Sequence, residues 1–198
     1  MSIFNAFVAT DHALIGFDTD ATQPDGRRTE RCKTIFLPHL GAVVGFRGID
    51  FLFASAAPPL LCFSGSFDDL CEHFPAIIAA SQKDARSVEV NPAEAFDFCV
   101  VGFSPRLGRM TSHTFSGSGE THDCPQIIAP GFGEEWIRGL GIHADRAGMI
   151  ALALDQCRMV RDVDPGLPAG GRLFIAEMRQ GGITVEEVCH FPEREAVE

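Results

Sequence analysis

The chain has 198 residues, 45% of them apolar and 22% charged, with a formal net charge of −11. That length suits one domain, residues 1–198, with a sizeable core. The acidic balance and scattered arginines argue against a nucleic-acid surface, and no apolar run reaches the ~20 residues needed to cross a bilayer.

Taken in order, Ile3 to Thr10 and Ala13 to Phe17 read as a β-hairpin around Asp11-His12. Thr19 to Arg31 is polar and carries the turn signal Pro24-Asp25-Gly26. Thr34–Leu37 and Gly41–Phe46 form a second hairpin around Pro38-His39. Then the pattern changes. Ile49 opens a helix expected to stop before Pro58-Pro59. Ser66 is a plausible N-cap for a second helix from Phe67 to Ser81, which Pro75 should kink or divide. Lys83 to Ala95 reads as loop, Phe96 to Phe103 and Arg109 to Phe115 as paired strands, and Gly117 to Pro125 as loop. Gln126–Ala129 is a short strand, Glu134 to Leu140 and His143 to Arg161 are helices, and Gly170–Met178 with Ile183–His190 close a final hairpin. Runs of strands and runs of helices in alternation predict an α+β fold, a four-layer αββα sandwich with helices outside two antiparallel sheets.

Seven cysteines are spread without a C-x-x-C pair, and seven histidines form no ligand-spaced pair on a helix. Neither a disulfide framework nor a metal site is expected, and no cofactor. The N-terminus lacks the features of a signal peptide, so a cytoplasmic location is expected. Ser116-Gly117-Ser118-Gly119, with His113, His122 and Asp123 near it, lacks the strand–turn–helix setting of a nucleophile elbow and reads as loop.

The chemistry concentrates at the front. Of 16 basic residues only Lys33 and Lys83 are lysines, and Lys33 heads the apolar segment Thr34–Leu37. Arginine stays protonated wherever it sits, whereas a desolvated lysine can shift its pKa and help move protons. Ser2 follows the initiator Met, whose removal would leave the Ser2 hydroxyl beside its own α-amine. That amine, with an ordinary pKa of about 7.7–8.0, can act as base toward the hydroxyl. Asp18 is a candidate partner for Lys33, and the glycine-rich turn Gly45-Phe46-Arg47-Gly48 a candidate oxyanion site. Each residue also has a plain reading: a common second residue, a strand-end aspartate, turn glycines, a solvated lysine.

The ordered set resembles a family. A nucleophile at the chain start, Ile15-Gly16-Phe17-Asp18 closing the second strand, Lys33 opening the third and Gly45-Phe46-Arg47-Gly48 closing the fourth are similar to proteasome β-type subunits and the bacterial HslV-like peptidases, which are N-terminal-nucleophile hydrolases. The Ser2–Asp18 and Lys33–Gly48 spacings match, with the loop before Lys33 shorter by about one residue. Ala129-Pro130-Gly131-Phe132-Gly133 resembles the family's Gly-Ser-Gly turn, and Arg161-Asp162 with Ala169-Gly170-Gly171 its C-terminal segment. The resemblance implies Ser2 as nucleophile, its amine as base, Lys33 tuning that amine, Asp18 pairing with Lys33, and the Gly48 N–H as oxyanion donor. It further implies a peptide or amide substrate and a homo-oligomer, as a ring. Phe132 and Ala169 stand where serines are expected, and Asp162 or Asp164 where an acid is expected. A non-catalytic assembly subunit of the same fold is the alternative.

Overall fold

The computed structural model describes residues 3–22, 27–48, 50–87, 96–116, 121–123, 127–128, 143–163 and 169–192. Its first sheet holds β1 (Phe4–Val8), β2 (His12–Asp18), β10 (Ile127–Ile128), β11 (Arg172–Arg179) and β12 (Gly182–His190), in the order β10-β1-β2-β11-β12. The second holds β5 (Thr34–Leu37), β6 (Ala42–Arg47), β7 (Asp97–Ser104), β8 (Arg109–Ser116) and β9 (Thr121–Asp123), in that order. Every pairing is antiparallel. The helices are α1 (Asp50–Leu61), α2 (Phe67–Ser87) and α3 (Arg146–Val163). The fold is therefore α+β, with each predicted hairpin of the first 46 residues contributing to a different sheet.

Burial on both faces explains why the strands read as unbroken apolar runs. Phe4, Ala6 and Val8 of β1 join Ile15 and Phe17 of β2 and Val43, Val101 and Met110 of the second sheet in one buried cluster between the sheets. The alternate positions Phe7 and Leu14 pack instead on Met149 and Leu152 of α3. A third cluster joins the other face of the second sheet, through Val44, Phe46, Phe98 and Val100, to Leu52, Leu60, Leu70 and Phe74 of α1 and α2. A buried polar contact crosses the α3 interface: the amides of Asn5 and Gln156 bond reciprocally at 2.6 and 2.9 Å. Each amide satisfies the other, so the pair adds specificity without an orphaned polar group.

Several boundaries differ from expectation, and packing decides each. Helix α1 continues through Pro58 and Pro59 to Leu61. Leu52, Ala56 and Leu60, four residues apart on one face, are all buried, and that face holds the last turn despite the two missing N–H groups. Helix α2 likewise runs through Pro75 undivided and on to Ser87, carried by buried Leu70, Phe74, Ile78, Ser81 and Ala85. Lys83 to Ser87 is thus helix rather than loop. Ser66 does cap α2: its Oγ accepts the Asp69 N–H at 3.2 Å while Asp69 accepts the Ser66 N–H at 2.8 Å, a reciprocal capping box. Asp145 caps α3 through the Gly148 N–H at 2.8 Å. Two short strands, β3 (Asp20–Thr22) and β4 (Arg28–Glu30), pair within the polar stretch Thr19 to Arg31, and β9, inside the expected loop Gly117 to Pro125, pairs with β8. The expected helix Glu134 to Leu140 lies outside the described residues.

Gly45 of β6 packs directly against Phe4 of β1: an added Cβ would lie 1.7 Å from Phe4 Cε2. Gly45→Ala should therefore lose about 1–3 kcal/mol of stability in urea unfolding, the usual cost of overpacking. Adding Phe4→Leu should recover part of that loss, since neighbouring substitutions couple. Equal stability of Gly45→Ala and the unmodified protein would show that the sheets part readily there.

Candidate active site

Asp18 and Lys33 meet across the two sheets. Asp18 ends β2 and is fully buried; Lys33 precedes β5 and is 7% exposed. Lys33 Nζ donates to Asp18 Oδ1 at 2.7 Å. The Ile3 N–H donates to the same oxygen and the Gly170 N–H to Oδ2, each at 3.1 Å. Burial pushes the Asp18 carboxyl above the ordinary carboxylate range, against the pull of the Lys33 ammonium and of the Gly170 and Ile3 N–H groups. All three partners are donors. A protonated carboxyl would direct an O–H at one of them, so the arrangement is that of a carboxylate facing an ammonium.

The strand ends explain why these residues converge. Asp18 N–H donates to Ile3 O at 3.2 Å, so the chain just after Ser2 is tied to Asp18 by backbone and side chain together. The Phe46 N–H donates to Lys33 O at 3.0 Å, setting Lys33 beside the end of β6. From there Gly48 follows with φ 137°. Its added Cβ would lie 2.6 Å from Phe96 Cβ, so only glycine fits this exposed turn. Gly45 has a packing role, against Phe4.

Sequence reasoning missed three groups at this end of the molecule. The Gly170 N–H completes the Asp18 cradle, and the Gly170-Gly171 pair after a helix was its visible signal. Arg161 binds the Ala169 carbonyl beside it, at 3.3 Å from Nε and 3.2 Å from Nη2. Arg47 is largely buried, with Nη1 3.6 Å from Asp97 Oδ2, and its Nε and Nη1 have no hydrogen-bond partner. Burial pulls the Arg47 guanidinium below its usual value while Asp97 and Asp18 hold it up, so a second cation bears on Asp18. Of the remaining predicted positions, Ala169 is fully buried and presents a methyl where a serine hydroxyl was expected. Asp162 is exposed on the last turn of α3. Ser2, Phe132 and Asp164 lie outside the described residues. Among the described residues no group of His, Cys, Asp and Glu is arranged to hold a metal ion, and no helix is long and apolar enough to cross a membrane.

No family model and no curated protein sequence matches the chain. Solved structures do. An Anbu (Gly-1) mutant from Hyphomicrobium sp. strain MC1 aligns with TM-score 0.67 and 13% identity over 94% of this chain and 88% of its own. Anbu from the same strain in another crystal form aligns with TM-score 0.66 and 13% identity over 93% and 86%. The chain therefore shares the fold of these Anbu structures. This corrects the family taken from the sequence. The assignment to proteasome β-type subunits and HslV-like peptidases does not hold, because the two solved structures described above are Anbu and no family model is met. The reason is physical: the Asp18, Lys33 and glycine-turn spacings follow from how two hairpins enter two sheets. They mark the fold and do not separate its families.

Asp18→Asn should leave the Lys33 ammonium buried without its counter-charge and cost about 3–5 kcal/mol in urea unfolding. Asp18→Asn with Lys33→Met should be markedly more stable than Asp18→Asn alone. If the double variant is no better, the pair is not coupled as its geometry requires.

Proposed function

We propose that this chain is an N-terminal-nucleophile hydrolase, a serine/threonine-type peptidase or amidohydrolase, acting through Ser2 once Met1 is removed. The observation that carries this reading is the buried Asp18–Lys33 pair, hydrogen-bonded to the residue that follows Ser2. A buried ion pair is a poor source of stability, and its position beside the chain start gives it a chemical use.

In this scheme the Ser2 α-amine takes the proton of its own hydroxyl as Oγ bonds to the carbonyl carbon of a peptide or amide. The Lys33 ammonium disfavours protonation of the amine and so keeps it a base; Asp18 holds Lys33 in place. The negative charge that develops on the carbonyl oxygen is met by the Gly48 N–H. The C–N bond then breaks, and the proton held by the α-amine passes to the leaving nitrogen. Water, deprotonated by the same amine, cleaves the resulting ester and restores Ser2. No metal or cofactor enters these steps.

The same reading takes residues 1–198 as one domain and the order helix, sheet, sheet, helix as a four-layer sandwich. It places the protein in the cytoplasm as a homo-oligomer, ring-shaped in the manner of proteasome-like assemblies. A second reading, a non-catalytic assembly subunit, is favoured by one observation: Ala169 supplies a buried methyl where a supporting hydroxyl was expected.

Intact mass separates the two readings first, because the enzyme requires loss of Met1. An electrophile selective for N-terminal Ser or Thr should then add once, at Ser2. Lys33→Arg should lower that acylation by about 100-fold or more, in the range of losing an activating base, while the variant stays folded by circular dichroism. Retained Met1, or a free Ser2 inert to such probes, decides for the assembly subunit. Undiminished acylation in Lys33→Arg would remove Lys33 from the mechanism.

A further inference from the structure

The Asp18 carboxylate has two oxygens with different duties. Oδ1 takes both Lys33 and the Ile3 N–H, whereas Oδ2 takes the Gly170 N–H. The Gly170 contact therefore fixes the rotation of the carboxylate, and with it the direction from which Oδ1 meets Lys33. That N–H belongs to the Ala169–Gly170 peptide, a planar unit whose other end is the Ala169 carbonyl. The carbonyl is held by Arg161 Nε and Nη2 at 3.3 and 3.2 Å and by Cys157 Sγ at 3.4 Å. The third arm of the guanidinium, Nη1, donates to Pro192 O at 2.8 Å. One α3 side chain thus spans the segment before β11 and the segment after β12.

We propose that Arg161 is a positioning residue for the Asp18–Lys33 pair, acting through the Ala169–Gly170 peptide. A cationic fork on the carbonyl fixes the peptide plane and strengthens the N–H at its far end, because hydrogen bonds in series polarise one another. Removing the fork frees the plane to turn about its flanking bonds, and Oδ2 loses its donor. The neighbourhood leaves little other freedom. Asp20 N–H donates to Gly170 O at 3.2 Å, Phe191 N–H to Gly171 O at 2.9 Å, and Arg172 N–H to Thr19 Oγ1 at 2.9 Å. A Cβ on Gly170 would lie 2.6 Å from Arg161 Nη2, so the backbone and the guanidinium are in direct contact. The charged groups facing Asp18 are Lys33 and, farther off, Arg47. Those sharing a cavity with Arg161 are Asp20, Arg28 and the titratable His190, with Asp20 already paired to Arg28 at 2.7 Å.

What the positioned pair then does rests on the hydrolase reading above, but the positioning itself can be measured without activity. In full-length protein carrying carbon-13 aspartate, with the Asp18 signal assigned from Asp18→Asn, Arg161→Met should make the Asp18 carboxyl bind protons about tenfold more tightly, since its charged form loses a donor. Exchange of the Gly170 amide hydrogen should quicken by about tenfold or more, as expected for a released hydrogen bond. Arg161→Lys, which keeps the charge without the fork, should move both in the same direction by less, and it serves if Arg161→Met does not fold. A lower melting temperature with both signals unmoved in the Lys variant would reduce Arg161 to a structural clamp and overturn the proposal. Wild-type protein that shows these couplings yet never acylates Ser2 would reject the hydrolase and leave the positioning intact.

Discussion

The contact on which this structure turns is a single ion pair between its two sheets. Asp18 and Lys33 come from different hairpins, and each is buried where a lone charge would be untenable. The carboxylate is tolerated because three donors surround it, and the ammonium because the carboxylate is there. Two apolar layers could slide or rotate on one another at little cost, whereas this pair meets only when the end of β2 and the start of β5 lie at the same depth. It therefore works as a specificity device, in keeping with the register-setting role best attested for buried polar groups.

Around the pair, the architecture supplies rigidity from several directions. The chain start is tied to Asp18 through Ile3, and the Gly170-Gly171 segment brings a second N–H from the far end of the sequence. The glycine turn after β6 adds Gly48 in a conformation that side chains disfavour. The cluster of residues 3, 18, 33 and 170 draws on both sheets and on the junction before β11. Each member lies at or within two residues of a strand end, so the strands fix its position.

Much of this was legible in the sequence, for definable reasons. The paired hairpins announced themselves as short apolar runs with turn residues between them, and the rarity of lysine pointed to Lys33. The capping of α2 by Ser66 was readable from local chemistry alone. What escaped the sequence was whatever depends on tertiary packing. The prolines of α1 and α2 were given too much weight because buried faces that outvote a lost hydrogen bond are invisible in a local window. The short β3–β4 pair is made mostly of polar residues and carries no period. Arg161 reads as one more helix-end arginine until the fold brings Ala169 and Pro192 to it. The family assignment failed for the complementary reason: the spacings that announced the fold are shared too widely to identify a lineage.

The reciprocal amides of Asn5 and Gln156 have a consequence beyond the interface they close. Because both are buried, a helix that slipped along the sheet by one residue would strand four hydrogen-bonding atoms, so the pair acts as a register mark for α3. Arg161 lies five residues beyond that mark, about one and a half turns on. The azimuth at which its guanidinium leaves the helix is therefore fixed by an amide contact on β1. The molecule sets the fine adjustment of one end of α3 by keying its middle, as a lock cylinder is keyed before its cam can turn.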